Sequence, residues 1–230
     1  GITANYRDFL NRAADYTVAA SQRTHDFRGY ATFELPFGPN KFIGGNTSGW
    51  FARIIEGWQM GTIFNVWSGA PLSFSARNTI NRTGTPDIVG DLPRDGKVTW
   101  GDTFGQYFPQ QYQRITDPAC QAVAANRVAF CANTAIADSN GNIILRNAAP
   151  GELGTLGLNP MYGPGRWEVD ANIQKTFRTS ESTRLTIRVD SNNVFNHPNP
   201  GDPNVNINAG TFGEIDSKTG NRSLAAQARF

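Results

Sequence analysis

Charge is scarce in this 230-residue chain: Asp, Glu, Lys and Arg make up 17% of it, and the formal net charge is +2. Both signs are scattered, with no basic tract and no aromatic-basic platform, so a nucleic-acid surface is not expected. Histidine is limited to His25 and His197. Each lies beside turn residues at a strand end, which speaks against a metal pair. Gly-x-Ser-x-Gly, His-Glu-x-x-His and phosphate-loop patterns are missing. Long hydrophobic runs are missing too, since nothing approaches the roughly 18 apolar residues of a transmembrane helix. That absence leaves a membrane barrel open. In a barrel strand only every second residue need be apolar, so a spanning sheet can carry the mean hydropathy of −0.42 found here.

Cysteine is limited to Cys120 and Cys131, with ten residues between them. A zinc site would need two more ligands that the local sequence does not supply, whereas a disulfide closing a small loop suits an oxidising compartment, the alternative being two free buried thiols. The chain opens with Gly1-Ile2-Thr3-Ala4-Asn5 and shows no leader, which reads as a mature or truncated product. The carboxylates Glu168, Asp170, Asp190 and Glu214 could in principle offer acid and nucleophile to a glycoside. Nothing in their spacing singles out a pair, so an enzyme is not expected, nor a cofactor or metal.

Gly, Asn, Thr, Ser and aromatic residues are abundant, a composition suited to strands and turns. Over 25–35, Phe27, Gly29, Ala31, Phe33 and Leu35 alternate with Arg28, Tyr30, Thr32 and Glu34, long enough for a tilted membrane strand. Pro36 stops the ladder, and 41–56 is a connection with a helical turn at Trp50–Ile55. From Gly57, Trp58, Met60, Thr62, Phe64 and Val66 alternate with Gln59 and Asn65. The pattern resumes after Ser68-Gly69-Ala70-Pro71, which favours one long strand with a bulge at Gly69. Alternation is then lost over 78–165. There Asp117-Pro118 starts a helix to about Val128, and Thr134–Ile136 and Asn142–Leu145 pair as a hairpin across an Asn-Gly turn.

Strand patterning returns at 167–178, with Val169, Ala171, Ile173 and Phe177 on one face. In the next strand Leu185, Ile187 and Val189 face one way, with Ile187 near mid-bilayer. Arg184, Arg188 and Asp190 face the other, and this strand continues through Asn193–Asn196. The final segment places Leu224, Ala226, Ala228 and Phe230 on one face. Arg28, Glu34, Asp170, Arg184, Arg188 and Asp190 are the expected lumen-facing charges, most simply as solvation and cross-strand pairing of a barrel interior.

The series Asp26-Phe27-Arg28, Glu34-Leu35-Pro36-Phe37-Gly38, Glu56-Gly57-Trp58-Gln59-Met60 and Ser68-Gly69-Ala70-Pro71 resembles the C-terminal region of Oar-like TonB-dependent receptors. So do Arg166-Trp167-Glu168-Val169-Asp170, Lys175-Thr176-Phe177, Arg184–Arg188, Asn193-Val194-Phe195-Asn196-His197-Pro198 and the last strand. The resemblance implies an all-β fold, an antiparallel transmembrane β-barrel segment of about five C-terminal strands from a 22-stranded barrel, with a long extracellular loop. It implies the outer membrane of a Gram-negative bacterium and active uptake of an unidentified ligand. Four segments are expected: a loop at 1–24, strands with a periplasmic connection at 25–77, the extracellular loop at 78–165 as first ligand contact, and the last three strands at 166–230. Partners are then outer-membrane lipid, the barrel-assembly machinery through Leu224, Ala226, Ala228 and Phe230, TonB through regions upstream, and the ligand. Five strands cannot close a barrel, so the chain is expected to be a fragment of the receptor. A passive porin or adhesin barrel shares the strands. A secreted carbohydrate-binding β-sandwich would instead bury the apolar faces.

Overall fold

The computed structural model describes residues 8, 10–76, 84–94, 96–108, 112–122, 124, 126, 133–149, 152–178 and 180–230. Cys131, the expected helix end at Val128 and the opening Gly1–Asn5 lie outside the described residues. In chain order the elements are β1 (Asp26–Glu34), α1 (Gly49–Ile55), β2 (Trp58–Trp67), β3 (Pro71–Leu72), β4 (Asp87–Ile88), β5 (Thr99–Trp100), β6 (Gly105–Gln106) and β7 (Gln113–Thr116). Then come α2 (Pro118–Gln121), β8 (Thr134–Ala137), β9 (Ile143–Arg146), β10 (Met161–Tyr162), β11 (Arg166–Arg178), β12 (Arg184–Asn192), β13 (Asn199–Pro200), β14 (Glu214–Ile215), β15 (Lys218–Thr219) and β16 (Ser223–Arg229). Two compact units result, one from His25–Trp67, Arg166–Asn199 and Thr219–Phe230, the other from Gly1–Thr24, Ser68–Gly165 and Pro200–Lys218.

The first unit is a five-stranded antiparallel sheet in the order β1-β2-β11-β12-β16. Its register is continuous, and residues paired across an antiparallel ladder share a face. One rung runs Phe33, Met60, Ile173, Val189, Ala226 and the next runs Glu34, Gln59, Gln174, Arg188, Gln227. The alternation read from each strand alone therefore adds up to one apolar and one polar face. Among the described residues β1 and β16 each pair on one side only, leaving both edges of the sheet open.

At one end of the sheet β11 and β12 are joined by the short turn between Arg178 and Arg184. At the same end, residues 35–57 join β1 to β2, looping back through Gly38 N to Ile43 O (2.9 Å) and Ile43 N to Pro36 O (2.9 Å) before entering α1. Gly57 follows the helix with φ +73°, a conformation that turns the chain into β2 and that a β-carbon would strain.

Two expectations about strand length are corrected. The strand starting at Trp58 leaves the sheet at Trp67, and Pro71–Leu72 pairs with Met161–Tyr162 in the other unit. Alternation continued across that boundary because Leu72 and Phe74 are buried in a separate core. β12 likewise stops at Asn192. Asn193 and Asn196 adopt φ of 45° and 50°, values that asparagine tolerates better than most side chains. Asn193 Nδ2 donates to His197 O (2.8 Å) and to Gly220 O, and His197 N donates back to Asn193 Oδ1 (3.0 Å). The result is a corner where an extended strand was expected.

The second unit, which takes in the expected 78–165 segment with its helix and hairpin, has its own core. Phe74, Phe108, Ile136, Leu145, Met161, Ile207 and Ile215 are buried together, with Phe108 stacked on Phe212 at 5.0 Å and 12°. The expected hairpin is present as β8 and β9, inside a four-stranded sheet ordered β4-β9-β8-β7. Asp117 caps α2 as expected, its side chain accepting from Ala119 N at 2.9 Å, although the helix ends at Gln121. The same carboxylate accepts from Asn147 N (3.3 Å), Asn147 Nδ2 donates to Thr134 O (2.8 Å), and Asn208 Nδ2 donates to Asn147 Oδ1 (2.8 Å). Buried polar groups are thereby satisfied by one another.

Candidate functional site

The polar face of the sheet collects the six charged residues singled out in sequence. Register places Arg28, Glu34, Asp170, Arg184, Arg188 and Asp190 on that face. They are spread along and across the sheet rather than gathered at one point. Arg28 Nη2 pairs with Asp26 Oδ2 at 2.8 Å, Glu34 with Lys41 at 3.3 Å, and Arg188 with Asp190 at 2.6 Å. Asp170 Oδ1 accepts from Asn193 N at 2.8 Å and so fixes the corner after β12. Between them run neutral cross-strand bonds, Gln174 Nε2 to Gln59 Oε1 at 2.9 Å and Thr176 to Thr186 at 2.9 Å. Four of the six thus lie in local ion pairs, and such exposed pairs each contribute little to stability.

The opposite face is apolar and, away from Lys175, largely exposed. Phe27, Phe33, Val66, Ile187, Val189 and Leu224 all remain exposed there, which a sandwich with a second sheet would not allow. Its height can be estimated. Trp167 and Phe177 share this face of β11, ten residues apart, or about 33 Å of strand at about 3.3 Å per residue. Tilted by about 40°, that length rises about 25 Å, the height of the apolar band on a membrane-spanning barrel. Aromatic residues mark both limits. Phe27, Phe64 and Trp167 lie toward one end, Phe27 and Phe64 with ring centroids 5.4 Å apart, while Trp58, Phe177 and Phe230 lie toward the other, as expected for a girdle.

Sequence reasoning missed Lys175. It stands on the apolar face between Ile173 and Phe177, opposite Trp58 and Ile187, and is 2% exposed. A lone cation interrupting an otherwise apolar set was the available signal. The same register moves the centre of the band, because Ile187 shares its rung with Lys175 and Trp58 near one aromatic limit, and Val189 with Ile173 is more central.

In the second unit an open cleft of about 740 Å³ is lined by Val89, Asp91, Tyr112, Asp138, Asn142 and Ile144, among others. Two carboxylates, an amide and a phenol beside aliphatic walls give it hydrogen-bonding capacity rather than a nucleophile or a ligand set. Among the described residues no group of three or more His, Cys, Asp or Glu is arranged to hold a metal ion. His197 stacks on Trp167 at 4.0 Å.

Asp138 shapes the rim of the cleft. Its Oδ1 accepts from Asn140 N (2.9 Å) and Asn142 N (2.8 Å), and its Oδ2 from Asn142 Nδ2 (3.1 Å). The Asn142 side chain, then the Asn142 amide, hold this carboxyl below its usual range. A depressed folded pKa stabilises the turn above the unfolded value of about 3.9 and loses that contribution as pH falls through the folded one. The Asn140 and Asn142 amide shifts should therefore titrate together below the ordinary Asp range. Titration at the ordinary value would contradict this, and Asp138→Asn should abolish the effect.

The family described as outer membrane beta barrel domain matches residues 1–225 of the chain. No curated protein and no solved structure matches it.

Proposed function

We propose, from the premise that the chain belongs to the outer membrane beta barrel domain family, that it supplies part of the wall and an outer loop of a TonB-dependent receptor similar to the Oar-like group. The chain resides in the outer membrane of a Gram-negative bacterium, in contact with its lipid. The observation that carries the reading furthest is the two-faced sheet, apolar over a membrane's height and charged behind. The order of motifs along the sequence supports the receptor assignment.

On this reading the apolar face meets lipid, and Arg28, Glu34, Asp170, Arg184, Arg188 and Asp190 wet the lumen. Outer-membrane barrels have short periplasmic turns and long outer loops. The Arg178–Arg184 turn and the 35–57 connection are then periplasmic, while 68–165 and the segment between Asn192 and Ser223 are extracellular. The cleft beside Tyr112 and Asp138 is the first contact for a ligand that brings N–H or O–H donors. TonB acts through regions upstream, the role is transport and not catalysis, and the complete barrel belongs to the whole receptor.

Planar-bilayer conductance of the full-length protein tests this. A plugged receptor stays closed until denaturant loosens the plug, and stable conductance without denaturant would favour a passive porin instead.

Two narrower proposals follow from the same reading. Cys120 is buried at α2, and in an exported loop it pairs with Cys131. Non-reduced peptides should be joined at these two positions, and free thiols at both would sink the pairing. Phe230, with Leu224, Ala226 and Ala228 on the same face of the last strand, guides barrel assembly. Phe230→Asp in the full-length protein should reduce its outer-membrane level several-fold by fractionation, and an unchanged level would refute the role.

A further inference from the structure

Helix α1 turns its large side chains outward. Ala52 is its buried residue, whereas Trp50, Phe51 and Ile54 are exposed, Trp50 to 76%. Seven residues are too few to hold a helix by backbone bonds alone, and a water-bathed surface of this composition would be a liability.

Its attachment shows which surface it belongs to. The Lys175 ammonium donates to the carbonyl oxygens of Arg53 (2.6 Å), Ile54 (2.6 Å) and Glu56 (2.5 Å). A lysine has three N–H donors, and here all three are used. Those acceptors lie at the C-terminal end of the helix, where carbonyls have no partner within the helix and a cation is favoured by the dipole. Trp58 Nε1 donates to Ile54 O at 3.0 Å, and Lys175 Nζ stands 4.8 Å from the Phe177 ring. Lys175, Trp58 and Phe177 all belong to the apolar face. The helix is thus pinned to the membrane side of the sheet at the level of one aromatic girdle.

We infer that α1 is an interfacial foot: Lys175 holds its C-terminal end while Trp50, Phe51 and Ile54 are immersed in phospholipid of the periplasmic leaflet. The occupant follows from continuity, because the apolar face to which the helix is pinned is itself the lipid-contacting surface. The composition agrees. Arg53 is exposed and 3.4 Å from Glu56, a charged pair at headgroup level beside aromatic and aliphatic side chains below it. A lipid-facing lysine is costly at mid-bilayer and tolerated near an interface, and here its charge is spent on seating the helix.

The assignment to the periplasmic leaflet rests on the strand orientation proposed above, so the test must separate the two. A benzophenone-bearing amino acid would replace Trp50, or separately Phe27, which is exposed on the apolar face at the level of Trp167 at the opposite end of the sheet, in the full-length protein in its native outer membrane. After irradiation, adducts are identified by mass. Position 50 should capture phospholipid and position 27 lipopolysaccharide. Lipid at 27 with none at 50, or a protein adduct at 50, would overturn the foot and leave the orientation standing. Lipopolysaccharide at 50 with phospholipid at 27 would reverse the sidedness, and no lipid at either site would overturn the orientation itself. In Lys175→Met the adduct at 50 should fall several-fold while that at 27 persists, and an undiminished yield would remove Lys175 as the tether. Lys175→Gln, which keeps two donors, serves where the Met variant does not assemble.

Discussion

Val189→Arg in the full-length protein should destabilise the assembled barrel by about 2–4 kcal/mol, whereas Ala225→Arg should cost far less. The two residues lie at nearly the same height on opposite faces. Val189 pairs with Ile173 and Ala226 in the middle of the apolar face, and Ala225 pairs with Asp190 on the polar one. An arginine at 189 would have to desolvate in hydrocarbon, while at 225 it would meet a carboxylate and water. Ile187→Arg should fall between them, because its rung carries Lys175 and Trp58 close to the girdle. Denaturant titration of the folded protein in detergent or vesicles gives the three values. Equal costs at 189 and 225 would refute the assignment of faces.

The second large effect is expected at Gly69. A β-carbon there would stand 1.7 Å from Gly163 O and 2.3 Å from Gly163 C, both backbone atoms that cannot swing aside. Gly163 N also donates to Ala70 O at 2.7 Å, and just beyond it Tyr162 pairs with Pro71. Gly69→Ala must therefore push two chain segments apart, at a cost of about 1–3 kcal/mol or more by analogy with overpacked cores. Hydrogen exchange at Leu72, Tyr162 and Gly163 should accelerate markedly, with amides of the five-stranded sheet little changed. Unaltered exchange at those three positions would show that this contact yields more easily than its geometry implies.

Period-two alternation was enough to read the five strands and both faces, because a side chain's face is decided by its neighbours two residues away. Where a strand stops is decided elsewhere. Leu72, Ser73 and Phe74 continue the pattern of β2, yet Phe74 packs on Phe108 at 6.0 Å, a partner that local sequence cannot reveal. The strands of the second unit are two to four residues long, too short for periodicity to emerge, and its polar knot joins Asp117, Asn147 and Asn208 across long stretches of chain. At Asn193 the sequence offered an asparagine, a residue at ease in a corner, but its capture of Gly220 O is a tertiary fact. Lys175 was legible as an anomaly, although its partners, being main-chain carbonyls, leave no mark in the side-chain sequence.

The close approach of Gly69 to Gly163 also bears on how fast the sheet can form. Trp67 and Arg166 are neighbours in the ladder but 98 residues lie between them, against 5 between Arg178 and Arg184. Closing the longer chain segment as a random coil would cost about 2–3 kcal/mol more in entropy, and such high contact order slows β-sheet folding. With Ala70 already bonded to Gly163 and Pro71 paired with Tyr162, the loop left to close between β2 and β11 would be short. A 68–165 segment that folds first would shorten the closure left for β2 and β11, so that its folding sets the pace at which this sheet forms.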